Sequence, residues 1–256
     1  MKTKYNRLFR PEAVSVDSYS KRAVVHLGEL LEENRTVMKR LVRRIVKDVS
    51  SGKSLFVFGS GHSSLFPLEL YHRAGGVSFV VPLVADFLMP QSGPPVVRAF
   101  ERQQNSAIFL LNRGDVKKGE MLWICSQSGI NAAGVELALE ARRRGVFTVA
   151  FSSKKHSQSV ASRHPSGKRL FEVCDEVVDL MGEVGDASIQ VGSEVHAGPL
   201  SSLGSTFLGH SILVAAAAQL EAKNYRCVYT SVNTPEGEKR NLALEKKASR
   251  RDPLLR

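Results

Sequence analysis

The sequence predicts an α/β fold, one doubly wound parallel sheet with helices on both faces. Three observations predict it. Short apolar runs, most of them rich in β-branched and aromatic residues, recur at 54–58, 77–84, 121–125, 146–151 and 173–180. Stretches of helical periodicity lie between several of them. Met121 to Phe151 fits strand, helix and strand into about thirty residues, the size of a βαβ unit, which forces a parallel pair. A chain of 256 residues is long enough to bury the core of one such domain with an added helix.

The elements follow in chain order. Apolar residues recur as Val24, Leu27, Leu31, Met38, Leu41, Ile45 and Val49, with Asn34 in the one polar place. Steps of three and four predict a long amphipathic helix, closed by Ser50-Ser51-Gly52. That helix must bury its stripe on the following domain or on a second subunit. Ser54 to Phe58 reads as a strand and leads into the turn Gly59-Ser60-Gly61-His62-Ser63-Ser64. A helix is expected through Leu65, Leu68, Glu69 and His72 to Ala74, stopped by Gly75-Gly76. Val77 to Val84 is the second strand. Residues 86–105, with Pro90, Pro94 and Pro95, read as a long mobile loop or lid. Ala107 to Leu111 fits a helix end or a strand equally well.

Met121 to Cys125 is the third clear strand, followed by a helix over about 130–144 and the strand Val146 to Phe151. Val173 to Leu180 supplies one more strand. A glycine- and serine-rich stretch, 182–205, precedes a last apolar helix over Phe207 to Leu220. The charged tail, Gly237 to Arg256, is expected to be helical early and disordered only at its extreme end. The chain thus divides into an N-terminal helix within 1–50, a ligand-binding domain over 51–236 and a tail over 237–256.

Charge narrows the partners. A formal net charge of +11 invites a polyanion, but the basic residues fall in short scattered groups such as Arg43-Arg44 and Arg142-Arg143-Arg144. Few aromatic residues interleave with them, so stacking on bases finds no support, and no nucleic-acid partner is expected. Cys125, Cys174 and Cys227 stand far apart, with no spacing for a zinc site and a pattern that suits a reducing cytoplasm. Met1 to Val16 lacks the apolar stretch of a secretory signal. The longest apolar run, Ile212 to Ala218, is too short to span a bilayer, so no membrane is expected.

Two strand-to-helix turns are rich in Ser and Gly: Gly59 to Ser64, and Ser126-Gln127-Ser128-Gly129-Ile130-Asn131. In an open parallel sheet such turns lie at the carboxyl ends of strands, where ligands bind. Free N–H groups at a helix start and the positive end of its dipole favour a phosphate. Ser60, Gly61, Ser63, Ser126, Gln127, Ser128, Gly129 and Asn131 are the candidate contacts, with Ser152 and Ser153 at the next strand's end. A dinucleotide fingerprint is not met, because Ser64 stands where a third glycine belongs, and a Walker loop is absent. No cofactor and no metal are expected.

These residues resemble a known group. Phe58-Gly59-Ser60-Gly61-His62-Ser63, Glu69, Arg73-Ala74-Gly75-Gly76, Ser126 to Asn131, His156-Ser157, Ser162 to Lys168 and Gly185-Asp186-Ala187 are similar to the single-domain SIS (sugar isomerase) proteins. The resemblance runs over roughly residues 15–245. It implies a five-stranded parallel sheet, a homodimer, and a phosphosugar at the serine loops. It further implies an amino-sugar 6-phosphate such as N-acetylglucosamine 6-phosphate, isomerised or dehydrated, with a non-catalytic sugar-phosphate sensor as the alternative. A helix-turn-helix regulator is not expected, since one long helix fills most of the chain before the first strand.

Isomerisation and β-elimination both begin by removing a proton next to a carbonyl, so a positioned base is needed. Glu69, amid Leu65, Leu68 and Leu70, is the first candidate, since apolar surroundings raise a carboxyl pKa. His72, three residues on, would share its helical face and act as partner or acid. His62, in the loop itself, would orient the substrate or donate to its carbonyl oxygen. His210 on the last helix is a weaker candidate, and His156 and His164 flank a possible second wall.

Overall fold

Five short strands pair in parallel in the computed structural model, which describes residues 14–256. They are β1 (Leu55–Gly59), β2 (Val80–Leu83), β3 (Met121–Cys125), β4 (Phe147–Ser152) and β5 (Glu176–Asp179), in the order β2-β1-β3-β4-β5. This is the five-stranded doubly wound sheet that the sequence predicts. The chain leaves β1 towards β2 and returns on the other side to β3, so the winding reverses between β1 and β3. A crevice opens at such a reversal, at the carboxyl ends of the two strands.

Strand side chains alternate between two cores. Leu55, Val57, Met121, Trp123, Val149 and Phe151 point to one face, where α1 (Val16–Ser50), α2 (Leu65–Leu70) and α8 (Ser201–Glu221) cover them. Phe56, Phe58, Leu122, Ile124 and Ala150 point to the other, under α3 (Pro94–Arg102), α4 (Phe109–Arg113), α5 (Ala132–Arg143) and α7 (Leu170–Val173). Trp123 anchors the first core, with ring centroids 6.2 Å from Phe66 and 4.9 Å from Phe151. Truncating so buried an aromatic to alanine costs about 3–5 kcal/mol. Between β4 and α7 lies α6 (Lys154–Gln158), and a two-residue hairpin, β6 (Ile189–Gln190) with β7 (His196–Ala197), precedes α8.

The first helix buries a different line of residues near its start than periodicity suggested. Val24 is 71% exposed, while Ala23, His26, Leu30, Asn34 and Val37 face α8 and the sheet. Asn34 explains the choice. Its amide donates to the carbonyls of Leu30 and Asp179 and accepts from the Asp179 N–H, which joins the helix to the end of edge strand β5. Close approach of α8 is set by glycine: a β-carbon on Gly204 would stand 2.8 Å from Leu30 Cδ1. By length and composition α8 could cross a membrane, contrary to the short apolar run read from sequence; half of it is buried in this core.

Three further expectations change. The helix after the first serine loop stops at Leu70, not Ala74, because Tyr71 is extended and His72 turns to φ 35°. That turn carries His72 Nε2 to 2.8 Å from Glu245 Oε1 on α9 (Pro235–Ala248). Residues 86–105 hold short helical turns and α3 rather than an irregular loop. Pro94 and Pro95 open α3, where no N–H is required, and Phe87 packs on Phe100 at 4.6 Å. Finally, the charged tail docks on the sheet's far end. Arg251 donates to both Glu120 oxygens, at 2.9 and 2.7 Å, and Asp252 is 1% exposed. Residues 1–13, including most of the segment read for a secretory signal, lie outside the described residues.

Candidate functional site

Each serine loop is shaped by a glycine. β1 ends at Gly59, where a β-carbon would lie 2.0 Å from the Ser63 carbonyl oxygen, so only glycine lets the chain fold straight into the turn Gly61–Ser64. Inside that turn Ser64 Oγ donates to the Gly61 carbonyl at 2.8 Å. After β3, the Gly129 N–H donates to Ser126 Oγ at 3.1 Å while Gly129 takes φ +60°. A β-carbon there would meet Ser152 Oγ at 2.7 Å and Ser157 Oγ at 3.0 Å.

A second rank of serines supports the Ser126–Asn131 loop from behind. The Ser153 N–H and the Ser152 hydroxyl donate to the Gln127 carbonyl, at 3.1 and 3.4 Å, and the Ser157 hydroxyl donates to the Ser128 carbonyl. With the carbonyls held inward, the N–H groups of Gln127 and Ser128 donate to nothing among the described residues. Asn131 is the N-cap of α5 but makes no side-chain cap; its Oδ1 accepts from Arg163 Nη1 at 2.7 Å instead. No acidic residue occupies the first turn of α5. The start of this helix is therefore open to an anion, with an arginine beside it.

The two loops form the floor and near wall of a cleft of about 620 Å³, at the point where the winding reverses. Ser60, Gly61, His62, Ser63, Ser126, Gln127, Ser128 and Asn131 all line it. α3 lines it with Val97, Arg98, Glu101 and Arg102, and His156, Val160 and Arg163 line it as well. Asp186 and Ser201 complete the lining. Three arginines face two carboxylates, so the cleft favours an anion. Burial pushes Glu101 above the usual carboxylate range and His156 below the usual histidine value. The Gln127 amide is buried with neither atom partnered, lying against Gly182, where a β-carbon would be 1.6 Å from its Nε2.

The remaining candidates lie elsewhere. Ser152 and Ser153 are fully buried behind the loop and do not line the cleft; Gly129 packs there too. Glu69 is on the outer side of α2, with 40% of its side chain exposed, bonded to Arg73 and 3.3 Å from His210 Nε2. His72 lies past the end of α2, bonded to Glu245 of α9 and packed on Tyr229, so it does not share a helical face with Glu69. Cys125 is a buried thiol beside Ser63 and Ser205, pushed up to about 12 by burial and inert as a nucleophile. The sequence does not single out Arg98, Glu101 and Arg102, whereas Arg163 falls in the basic stretch expected to form a second wall. Their signal lies at α3, where a proline pair opens an i, i+3, i+4 pattern and so marks a helix start as readily as a loop.

A SIS domain model matches residues 18–153, just over half of the chain. The chain belongs to the SIS domain family. A UPF0309 protein of Shouchella clausii is 34% identical over 85% of this chain and 90% of its own length. A UPF0309 protein of Caldanaerobacter subterraneus subsp. tengcongensis is 32% identical over 92% of this chain and 98% of its own. Among solved structures, a phosphoheptose isomerase from Neisseria gonorrhoeae shares the fold, with a TM-score of 0.50 and 12% identity. That likeness covers 79% of this chain and 97% of the isomerase.

Proposed function

We propose that this SIS protein processes a sugar phosphate, an amino-sugar 6-phosphate such as N-acetylglucosamine 6-phosphate, by removing the proton next to its carbonyl. One observation carries the reading: the unpaired amides of Gln127 and Ser128 meet the uncapped start of α5, with Arg163 adjacent. That arrangement suits a phosphate. The sugar would then extend towards the Gly59–Ser64 loop, where His62, which lines the cleft, would donate to the carbonyl oxygen. The cleft volume is in the range of small-molecule sites.

Loss of the C2 proton leads to isomerisation when the proton returns at C1, or to dehydration when the C3 hydroxyl departs as water. The reading includes a homodimer, for which the exposed Val24 and Val25 of α1 and Val214 of α8 offer apolar surface. Sedimentation velocity at micromolar concentration checks it. A second reading, a non-catalytic sugar-phosphate sensor, is favoured by the position of Glu69 and His72 outside the cleft.

A thermal-shift panel of sugar phosphates against the same unphosphorylated sugars tests the ligand class; stabilisation should require the phosphate. Incubation in deuterated water then separates the two readings. Loss of the C2–H signal supports the enzyme, and binding without exchange supports the sensor.

A further inference from the structure

We propose that Glu101 is the general base of the cleft, the group that takes the C2 proton of the bound sugar phosphate; this rests on the phosphosugar reading above. Among the described residues, two carboxylates line the cleft, Glu101 and Asp186. Asp186 is committed to the fold. It accepts from the N–H groups of Leu200 and Ser201, at 3.3 and 3.2 Å, and from the Ser201 hydroxyl, and so caps α8. A proton placed on it would weaken that cap.

Glu101 has no such duty. Among the described residues no cation stands within 4.0 Å of its carboxylate, although Arg98, Arg102 and Arg163 lie farther out around it. Its Oε2 is 3.7 Å from where a β-carbon on Gly61 would stand, and the Asn131 amide is its neighbour on the other side. From α3 it therefore reaches over both serine loops. A sugar with its phosphate at Ser126–Ser128 and its carbonyl at His62 has C2 in the span between them, beneath this carboxylate.

The other candidates are worse placed. Glu69 is held by Arg73 on the far side of α2. His156 lines the cleft with Nδ1 buried and unpartnered. Burial raises the pKa of Glu101, against the opposing pull of Arg102 and then Arg163. A less acidic carboxyl is the stronger base once ionised.

The step balances within the site. Glu101 takes the C2 proton, the C2–H electron pair forms C1=C2, and the C1=O pair moves onto oxygen, which His62 protonates. For isomerisation of a 2-hydroxy sugar, the carboxyl returns its proton at C1, the C2 hydroxyl becomes the new carbonyl and its proton returns to His62. For dehydration, the enol re-forms the carbonyl as its proton returns to His62. C2=C3 forms, the C3–O bond breaks, and the carboxyl's proton leaves with that oxygen as water.

The test uses N-acetylglucosamine 6-phosphate as the probe, with C2 exchange in deuterated water and thermal shift read on the same samples. E101Q should lower the exchange rate by about 100-fold or more while keeping the ligand-induced shift. E101D, which keeps a carboxylate one methylene shorter, should retain a measurable rate. Because the base acts only when ionised, the wild-type rate should rise with pH along an acid limb above about 4.3, the ordinary glutamate value. E101D should keep such a limb and E101Q should lose it. An E101Q protein that exchanges within about threefold of wild type overturns the assignment, as does an E69Q protein that loses more than E101Q. Wild type that binds but never exchanges also overturns it. Wild type that shows no phosphate-dependent shift overturns the phosphosugar reading itself.

Discussion

The two serine loops look alike in sequence and do different work in the fold. Both follow neighbouring strands, both turn on glycines, and both were expected to hold phosphate. The first loop is braced by its own residues. Ser64 bonds back to Gly61, Ser63 lies beside the Cys125 thiol, and the six-residue α2 that follows is brief. The second loop is satisfied from outside, by Ser152, Ser153 and Ser157, which hold its carbonyls and leave its amides turned outward before the twelve-residue α5. Anion affinity therefore depends on how the loop's carbonyls are held and on the length of the helix that follows, more than on serine content. The first loop is left to present His62 and to face Glu101.

The largest test of this contrast is a matched pair of substitutions. Gly129→Ala meets a left-handed backbone and two serine hydroxyls within 3.0 Å, so backbone strain and overpacking add to about 2–4 kcal/mol. Phosphosugar stabilisation should vanish with it. Gly61→Ala has φ +58° but its nearest neighbour at 3.7 Å, so the backbone penalty alone, about 1–2 kcal/mol, is expected. Denaturant melts of both variants check the ordering, and equal losses would erase the distinction between the loops.

Next in size is Arg163→Ala. Removing the guanidinium beside α5 should weaken a sugar phosphate on the order of tenfold, read by calorimetry. His62→Ala, on the other loop, should leave that affinity nearly intact and lower turnover. A swapped outcome would move the phosphate to the first loop.

The smallest effect lies away from both loops. His26 is 2% exposed between α1 and α8, with no hydrogen bond at either ring nitrogen, and burial lowers its pKa from the ordinary 6.5 against the pull of Glu29, 3.8 Å from Nδ1. The unfolded chain then binds a proton that the folded chain refuses, so stability falls as pH drops below 6.5 and levels once the folded histidine titrates. His26→Leu should flatten that acid-side slope in urea melts at pH 5 and 7 without touching ligand binding.

The strands and both loops were legible in sequence because a buried parallel sheet needs continuous apolar runs and its ligand turns need glycine. What escaped depends on contacts distant in sequence. Asn34 chose the buried line of α1 by bonding Asp179, 145 residues away. The helix after β1 was cut short by the turn that joins His72 to Glu245, 173 residues on. Ser152 and Ser153 were read as ligand contacts since hydroxyls at a strand end serve either side, and only the loop's shape shows that they face inward. Proline hides Glu101, because a Pro pair marks a helix start as well as a loop and only the packing of Phe87 on Phe100 decides between them.

The most direct measurement is an amide NMR titration of the full chain with a sugar phosphate, followed by its unphosphorylated sugar. Phosphate on the second loop predicts that the Gln127 and Ser128 amides, with Ala132 and Ala133 at the start of α5, shift most and only for the phosphorylated ligand. Shifts confined to Gly61–Ser64, or equal for both ligands, would contradict it.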